Sequence, residues 1–142
     1  MSSVSSPANP QDAGAPGWLA PTAMATSGFL AIGIVVQAFL AGSGLFEGKP
    51  DLITAHEMLG NVIFLVGVAQ IVVAFIGLQK GVFGRGFLIV SIVLLVLVVA
   101  QLGLGYSSRD SSTALAWHLP NGVLLMGACT WSAALAWRPN RT

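Results

Sequence analysis

Four apolar stretches, roughly residues 24–46, 54–78, 86–106 and 114–137, take up most of this chain. Each reaches the ~20 residues that cross a hydrocarbon core of about 30 Å. Lipid offers the backbone no hydrogen-bond partner, so a segment that spans it pairs its own N–H and C=O groups as a helix. Charged residues make up only 8% of the chain, against about 25% in soluble domains, which points to lipid as the main solvent. The expected fold class is all-α and integral to the membrane. Short loops between successive helices favour antiparallel neighbours and predict an up-down-up-down four-helix bundle. Residues 24–137 form the single domain. Residues 1–23 form an N-terminal tail, expected to be disordered because Ser, Pro, Ala, Asn and Gly dominate its start; residues 138–142 form a C-terminal tail. The start of the chain lacks the basic n-region of a secretory signal, so the first apolar stretch reads as a true span.

Lysines and arginines in the short loops set the orientation. Lys80, Arg85, Arg138 and Arg141 fall on one side; Lys49 and Arg109 fall on the other, beside Glu47, Asp51 and Asp110. Both termini are therefore expected in the cytoplasm, with the protein multi-pass in the cell membrane. Trp18 and Trp137 would sit at the inner interface and Trp117 at the outer one. Cys129 is the sole cysteine, so no intramolecular disulfide forms. A net charge of +1 with no basic cluster gives no surface for nucleic acid.

The only two histidines, His56 and His118, open the same pattern, H-x-x-x-G: His56-Glu57-Met58-Leu59-Gly60 and His118-Leu119-Pro120-Asn121-Gly122. Aligning Leu40-Ala41-Gly42-Ser43-Gly44 with Gln101-Leu102-Gly103-Leu104-Gly105 superposes two G-x-G pairs. The second glycine then precedes its histidine by 12 residues in the first half and 13 in the second. The chain thus reads as an internal two-fold repeat of a helix hairpin. Each half has one glutamine in its first helix, Gln37 and Gln101, about one turn apart in this alignment. In the expected topology helices 2 and 4 are diagonal, so both histidines enter the shared core near the outer face.

Two imidazoles facing each other across a bundle suit the two axial positions of haem iron. The alternative reading is two interfacial or hydrogen-bonded histidines. Glycine four residues after each histidine lies about one turn away on the same face. Gly60 and Gly122 are therefore expected to let the backbone approach a flat macrocycle. Pro120 is expected near the start of the fourth helix, where N–H groups are unpaired anyway. Lys49 and Arg109 are the basic residues of the outer loops and the candidates, by elimination, for the propionates; the alternative is two solvated loop charges. Gln37 and Gln101 belong inside, as cofactor neighbours or as helix-to-helix hydrogen-bonding groups. Gln70 and Cys129, 14 and 11 residues after their histidines, return to within about 40° and 20° of the histidine direction and face inward too. Met58 and Met126 read as packing residues. Zinc is disfavoured, because two histidines fall short of its usual three or four protein ligands.

The stretches Val36-Gln37-Ala38-Phe39-Leu40-Ala41-Gly42, His56–Gly60 and His118–Gly122 resemble a family of small prokaryotic four-helix membrane proteins of unknown function. The resemblance covers residues 27–137. The layout is also similar to one half of haem A synthase, whose second and fourth helices carry histidines that hold a b-type haem. Only His56 and His118 carry over. The synthase's H-R dipeptide is replaced by His56-Glu57, and its second half is missing. What the resemblance implies is haem binding, not the synthase reaction.

The leading expectation is a small membrane b-type cytochrome, with His56 and His118 as iron ligands to haem b, used in electron transfer or haem handling. A redox partner or a quinone would accompany it, with Glu57 a candidate proton acceptor, and glycine-rich faces would suit a homodimer. A cofactor-free accessory subunit of a larger membrane complex is the alternative. A transporter or channel lined by Gln37, Gln70 and Gln101 ranks last, since few charges occupy the spans. No catalysed reaction follows from the sequence.

Overall fold

The computed structural model describes residues 16–138. Four helices, α1 (Leu19–Phe46), α2 (Pro50–Gln79), α3 (Arg85–Ser107) and α4 (Ser112–Ala136), are joined by three short loops. All four are long and apolar enough to cross a membrane. Each packs on its neighbours in the chain and α1 closes on α4, while the diagonal pairs make no close backbone contact. This is the up-down-up-down bundle of a multi-pass membrane protein. Large apolar side chains such as Ile32, Phe39, Leu65, Ile89, Val96 and Leu124 are exposed, as lipid-facing positions require.

The helices begin and end where local chemistry directs. Helix α1 starts at Leu19, five residues before the expected boundary at 24, because Pro21 sits in the first turn, where no amide partner is lost. Of the expected tails, residues 1–15, which include Asp12, and residues 139–142, which include Arg141, lie outside the described residues. Helix α2 likewise begins early, with Pro50 at its first position and Asp51 in its first turn. Gly48 and Gly81 adopt φ of 64° and 70° just past the ends of α1 and α2. There Lys49 N–H donates to Gly44 C=O at 2.9 Å, and Val82 N–H to Gly77 C=O at 2.8 Å. These bonds close the helix ends in a geometry that glycine adopts without strain. Ser111 caps α4 by accepting from the Ala114 amide at 3.2 Å. Pro120 is a correction: it lies inside α4, two turns from the start. It therefore removes the N–H that would pair with the Ala116 carbonyl and loosens the turn that carries His118.

Along its axis the bundle alternates apolar and polar layers. At the end carrying the α2–α3 loop, Leu19, Ala23, Val73, Ala74, Phe83, Phe87 and Ala136 form one apolar cluster. Next comes a polar layer with one side chain from each helix, Ser27, Gln70, Ser91 and Ser132, all buried. Ser27 Oγ donates to Gln70 Oε1 at 3.2 Å, and Ser132 Oγ lies 3.2 Å from Ser27 Oγ. Gln70 Nε2 donates to Ser132 at 2.7 Å and to Ser91 at 3.3 Å, and Ser91 donates to the Phe87 carbonyl at 2.8 Å. Every hydrogen in this layer has an acceptor. A second apolar layer, Leu30, Ile63, Leu94, Val98, Leu125 and Cys129, covers it. The inward positions of Gln70 and Cys129 follow the helical period read from the sequence. This apolar layer also separates Gln70 from Gln37 and Gln101, which a path through all three glutamines would have to cross.

Gln70 is the only member of the polar layer that joins the other three. Gln70→Ala should lower stability by roughly 1–3 kcal/mol, for several lost bonds plus a cavity. Unfolding in mixed detergent micelles checks this, and an unchanged midpoint would contradict the clamp role.

Candidate functional site

The end of the bundle carrying the α1–α2 and α3–α4 loops is built differently. A cavity of about 1020 Å³, lined by all four helices, contains His56, His118, Gln37, Gln101, Gly60 and Gly122. Its volume lies at the upper end of the range for ligand sites, and its wall is mostly apolar with a few convergent polar groups. Val35 and Phe46 of α1, and Leu115, Leu119 and Val123 of α4, line the cavity and are also exposed.

The two histidines, on diagonal helices, meet in this cavity with ring centroids 6.2 Å apart and planes at 63°. Each is oriented by the backbone of the preceding helix. His56 Nδ1 lies 3.1 Å from the Gln37 carbonyl oxygen, and His118 Nδ1 lies 3.1 Å from the Gln101 carbonyl oxygen. A carbonyl only accepts, so Nδ1 carries the hydrogen in both rings and Nε2 keeps a lone pair. That is the tautomer of a histidine poised to ligate through Nε2, with its other nitrogen fixed by a backbone carbonyl. Gly105 gives His118 its place: a Cβ there would lie 3.1 Å from His118 Cε1.

The glycines four residues after the histidines border the cavity and also meet a side chain. The space beside each is taken by an amide from the preceding helix. A Cβ on Gly60 would lie 3.0 Å from Gln37 Nε2, and one on Gly122 would lie 3.3 Å from Gln101 Nε2. Both glycines border the cavity, but what they admit at closest range is glutamine. The same contact equates Gln37 with Gln101, although the G-x-G alignment sets them a turn apart. Asn121, which sequence reasoning passed over, donates to Gln101 Oε1 at 2.6 Å and to the Leu97 carbonyl at 3.0 Å.

Charged groups gather at the cavity mouth. Arg109 pairs with Glu57 at 2.6 Å and lies over the Tyr106 ring, and all three line the cavity. The bond and charge of Glu57 raise the already high pKa of the Arg109 guanidinium. Lys49 does not line the cavity; it pairs with Glu47 in the α1–α2 loop. Of the two basic candidates, only Arg109 reaches the site. Met126 lines the cavity, whereas Met58 is exposed on the outside of α2. No cluster of three or more His, Cys, Asp or Glu side chains occurs among the described residues. Among the described residues the site brings together two imidazoles, His56 and His118.

A family model described as a family of unknown function, DUF6220, matches residues 37–107, half of the chain. The chain belongs to this family. The match in this DUF6220 chain begins at Gln37, includes His56 and Gln101, and stops before His118. No curated protein and no solved structure matches it.

The Nδ1–H tautomer of both histidines is open to direct measurement. Long-range ¹⁵N–¹H NMR of the protein in micelles at alkaline pH, free of cofactor, should show the ring hydrogen on Nδ1 in both histidines. A hydrogen on Nε2 in place of Nδ1 in either ring would contradict the carbonyl anchoring.

Proposed function

We propose that this protein is a small membrane b-type cytochrome in which His56 and His118 hold one haem between α2 and α4. The observation that carries the reading is the pair of converging imidazoles, each fixed through Nδ1 to a glutamine carbonyl and left with a lone pair on Nε2. Two imidazoles that bind one first-row metal ion from opposite sides, each about 2 Å away, have ring centres about 6 Å apart. The separation of 6.2 Å is compatible with that arrangement. Two protein ligands suit an ion that brings four more of its own, as a porphyrin does, better than they suit zinc. The cavity's mostly apolar wall suits a flat, largely apolar group. The likeness to one half of haem A synthase supports haem binding, while Glu57 in place of arginine argues against the synthase reaction.

When bound, haem supplies a one-electron change at iron. The chain's part would be to hold the two imidazoles in one tautomer, to keep water out with the apolar wall, and to offer Arg109 to an anionic group at the mouth. That last role requires Arg109 to exchange Glu57 for the new partner. Electron transfer to a redox partner or a quinone is the use we assign to the site, with haem handling as its variant. Exposed Gly103 and Gly127 are compatible with a homodimer.

The charge bias of the loops supports both termini in the cytoplasm and the site near the outer face of the cell membrane. In a Cys129→Ser background, an impermeant maleimide should label Lys49→Cys but not Lys80→Cys in intact cells; the reverse pattern would invert the topology. Cofactor content is tested by the reduced-minus-oxidised absorption spectrum of the detergent-purified protein. Wild type should give a low-spin b-type spectrum, and a His56→Ala/His118→Ala double variant should lose it. A colourless wild type that stays colourless after haem is added would discard the cytochrome reading.

A further inference from the structure

The two halves of the site share their histidine-to-carbonyl bonds but not what surrounds them. On the α3–α4 side, Gln101 Nε2 donates to His118 Nε2 at 3.0 Å. No other assignment fits, because His118 Nδ1 holds the ring hydrogen and Gln101 Oε1 accepts from Asn121 at 2.6 Å. The lone pair of His118 is therefore covered by an amide whose far end is fixed by Asn121. Asn121 is itself tied to the Leu97 carbonyl at 3.0 Å. On the α1–α2 side, the third position after the histidine is Leu59 in place of asparagine. Leu59 packs against the apolar layer, and Gln37 Oε1 is left buried with no partner.

Resting on the reading that a haem is held by both histidines, we infer that they are engaged in order. His56 is the open ligand that meets the incoming iron first. Asn121 is a positioning residue that holds the Gln101 amide as a removable cap over His118. The cap is a single hydrogen bond between neutral groups, weak enough in net terms to be displaced by a metal–nitrogen bond. Pro120 loosens the turn of α4 in which His118 sits, so the ring can reorient once the amide leaves.

The test is stopped-flow absorption after mixing ferric haem with the full-length, detergent-purified protein freed of cofactor. Wild type should form a high-spin species with one histidine bound, then turn low-spin in a step independent of haem concentration. His118→Ala should stop at the high-spin species, and His56→Ala should lose the fast step. Asn121→Leu gives the second half the residue of the first, and should speed the conversion by roughly threefold to tenfold, the worth of one hydrogen bond. Gln101→Leu, which removes the cap itself, should do the same, and serves if Asn121→Leu lacks wild-type helicity by circular dichroism. Conversion at the wild-type rate in a folded variant, or a fast step lost in His118→Ala but kept in His56→Ala, would overturn the order of engagement. So would low-spin haem that forms in a single step in wild type. A wild type that takes up no haem overturns the cytochrome reading and this inference together, an outcome distinct from the rest.

Discussion

A polar side chain inside this bundle has no water to turn to, so its partner must be another part of the protein. That constraint orders the interior. Polar side chains from all four helices gather in two layers, one at Gln70 and one at the histidines, with an apolar layer between them. In the Gln70 layer every hydrogen is used, and a fully satisfied network of this kind fixes a single packing. The histidine layer is not closed. Its backbone anchors are complete, yet Gln37 Oε1 has no partner and the cavity beside it is large. One layer holds the helices together; the other has bonding capacity to offer.

Much of this could be read from the sequence, and what could not has a common cause. The four spans were legible because ~20 apolar residues are a strong, local signal. The meeting of the two histidines followed from the repeat and the up-down topology, and the inward direction of Gln70 and Cys129 from helical period. The acceptors for the histidines were not legible, because they are backbone carbonyls, which every residue carries. Ser27, Ser91 and Ser132 were missed since a lone serine in an apolar run is common, and only the meeting of four helices reveals their purpose. The start of α1 lies five residues before the apolar stretch, since Pro21 in a first turn costs nothing. Gln37 and Gln101 looked one turn apart because glycines aligned the halves. The structure equates them by what they touch: a histidine through the backbone and a glycine through the side chain.

Glycine has more than one use here, and the uses should be kept apart. Gly48 and Gly81 supply a left-handed turn beyond a helix end. Gly105 supplies room for an imidazole, and Gly60 and Gly122 supply room for an amide. The H-x-x-x-G pattern ties two residues of one helix to a single glutamine of the helix before it. It is a histidine that bonds to the glutamine backbone and a glycine that admits the same glutamine's side chain. A motif of two residues on one helix is in fact a socket for a third residue on the helix before it.

That socket is why a single difference between the halves matters. With the histidine, glycine and glutamine held in common, the glutamine amide in each half has a fixed position and needs partners at both ends. In the second half its oxygen meets Asn121, its nitrogen is thereby turned to His118, and the ring's lone pair is engaged. In the first half Leu59 offers nothing, and the amide oxygen stays orphaned in a buried place. Hydrocarbon around the bundle makes that loss harder to repair than it would be in water. A repeat that would otherwise present two equal imidazoles therefore presents one that is engaged and, diagonally across the cavity, a second beside an unmet hydrogen-bond acceptor.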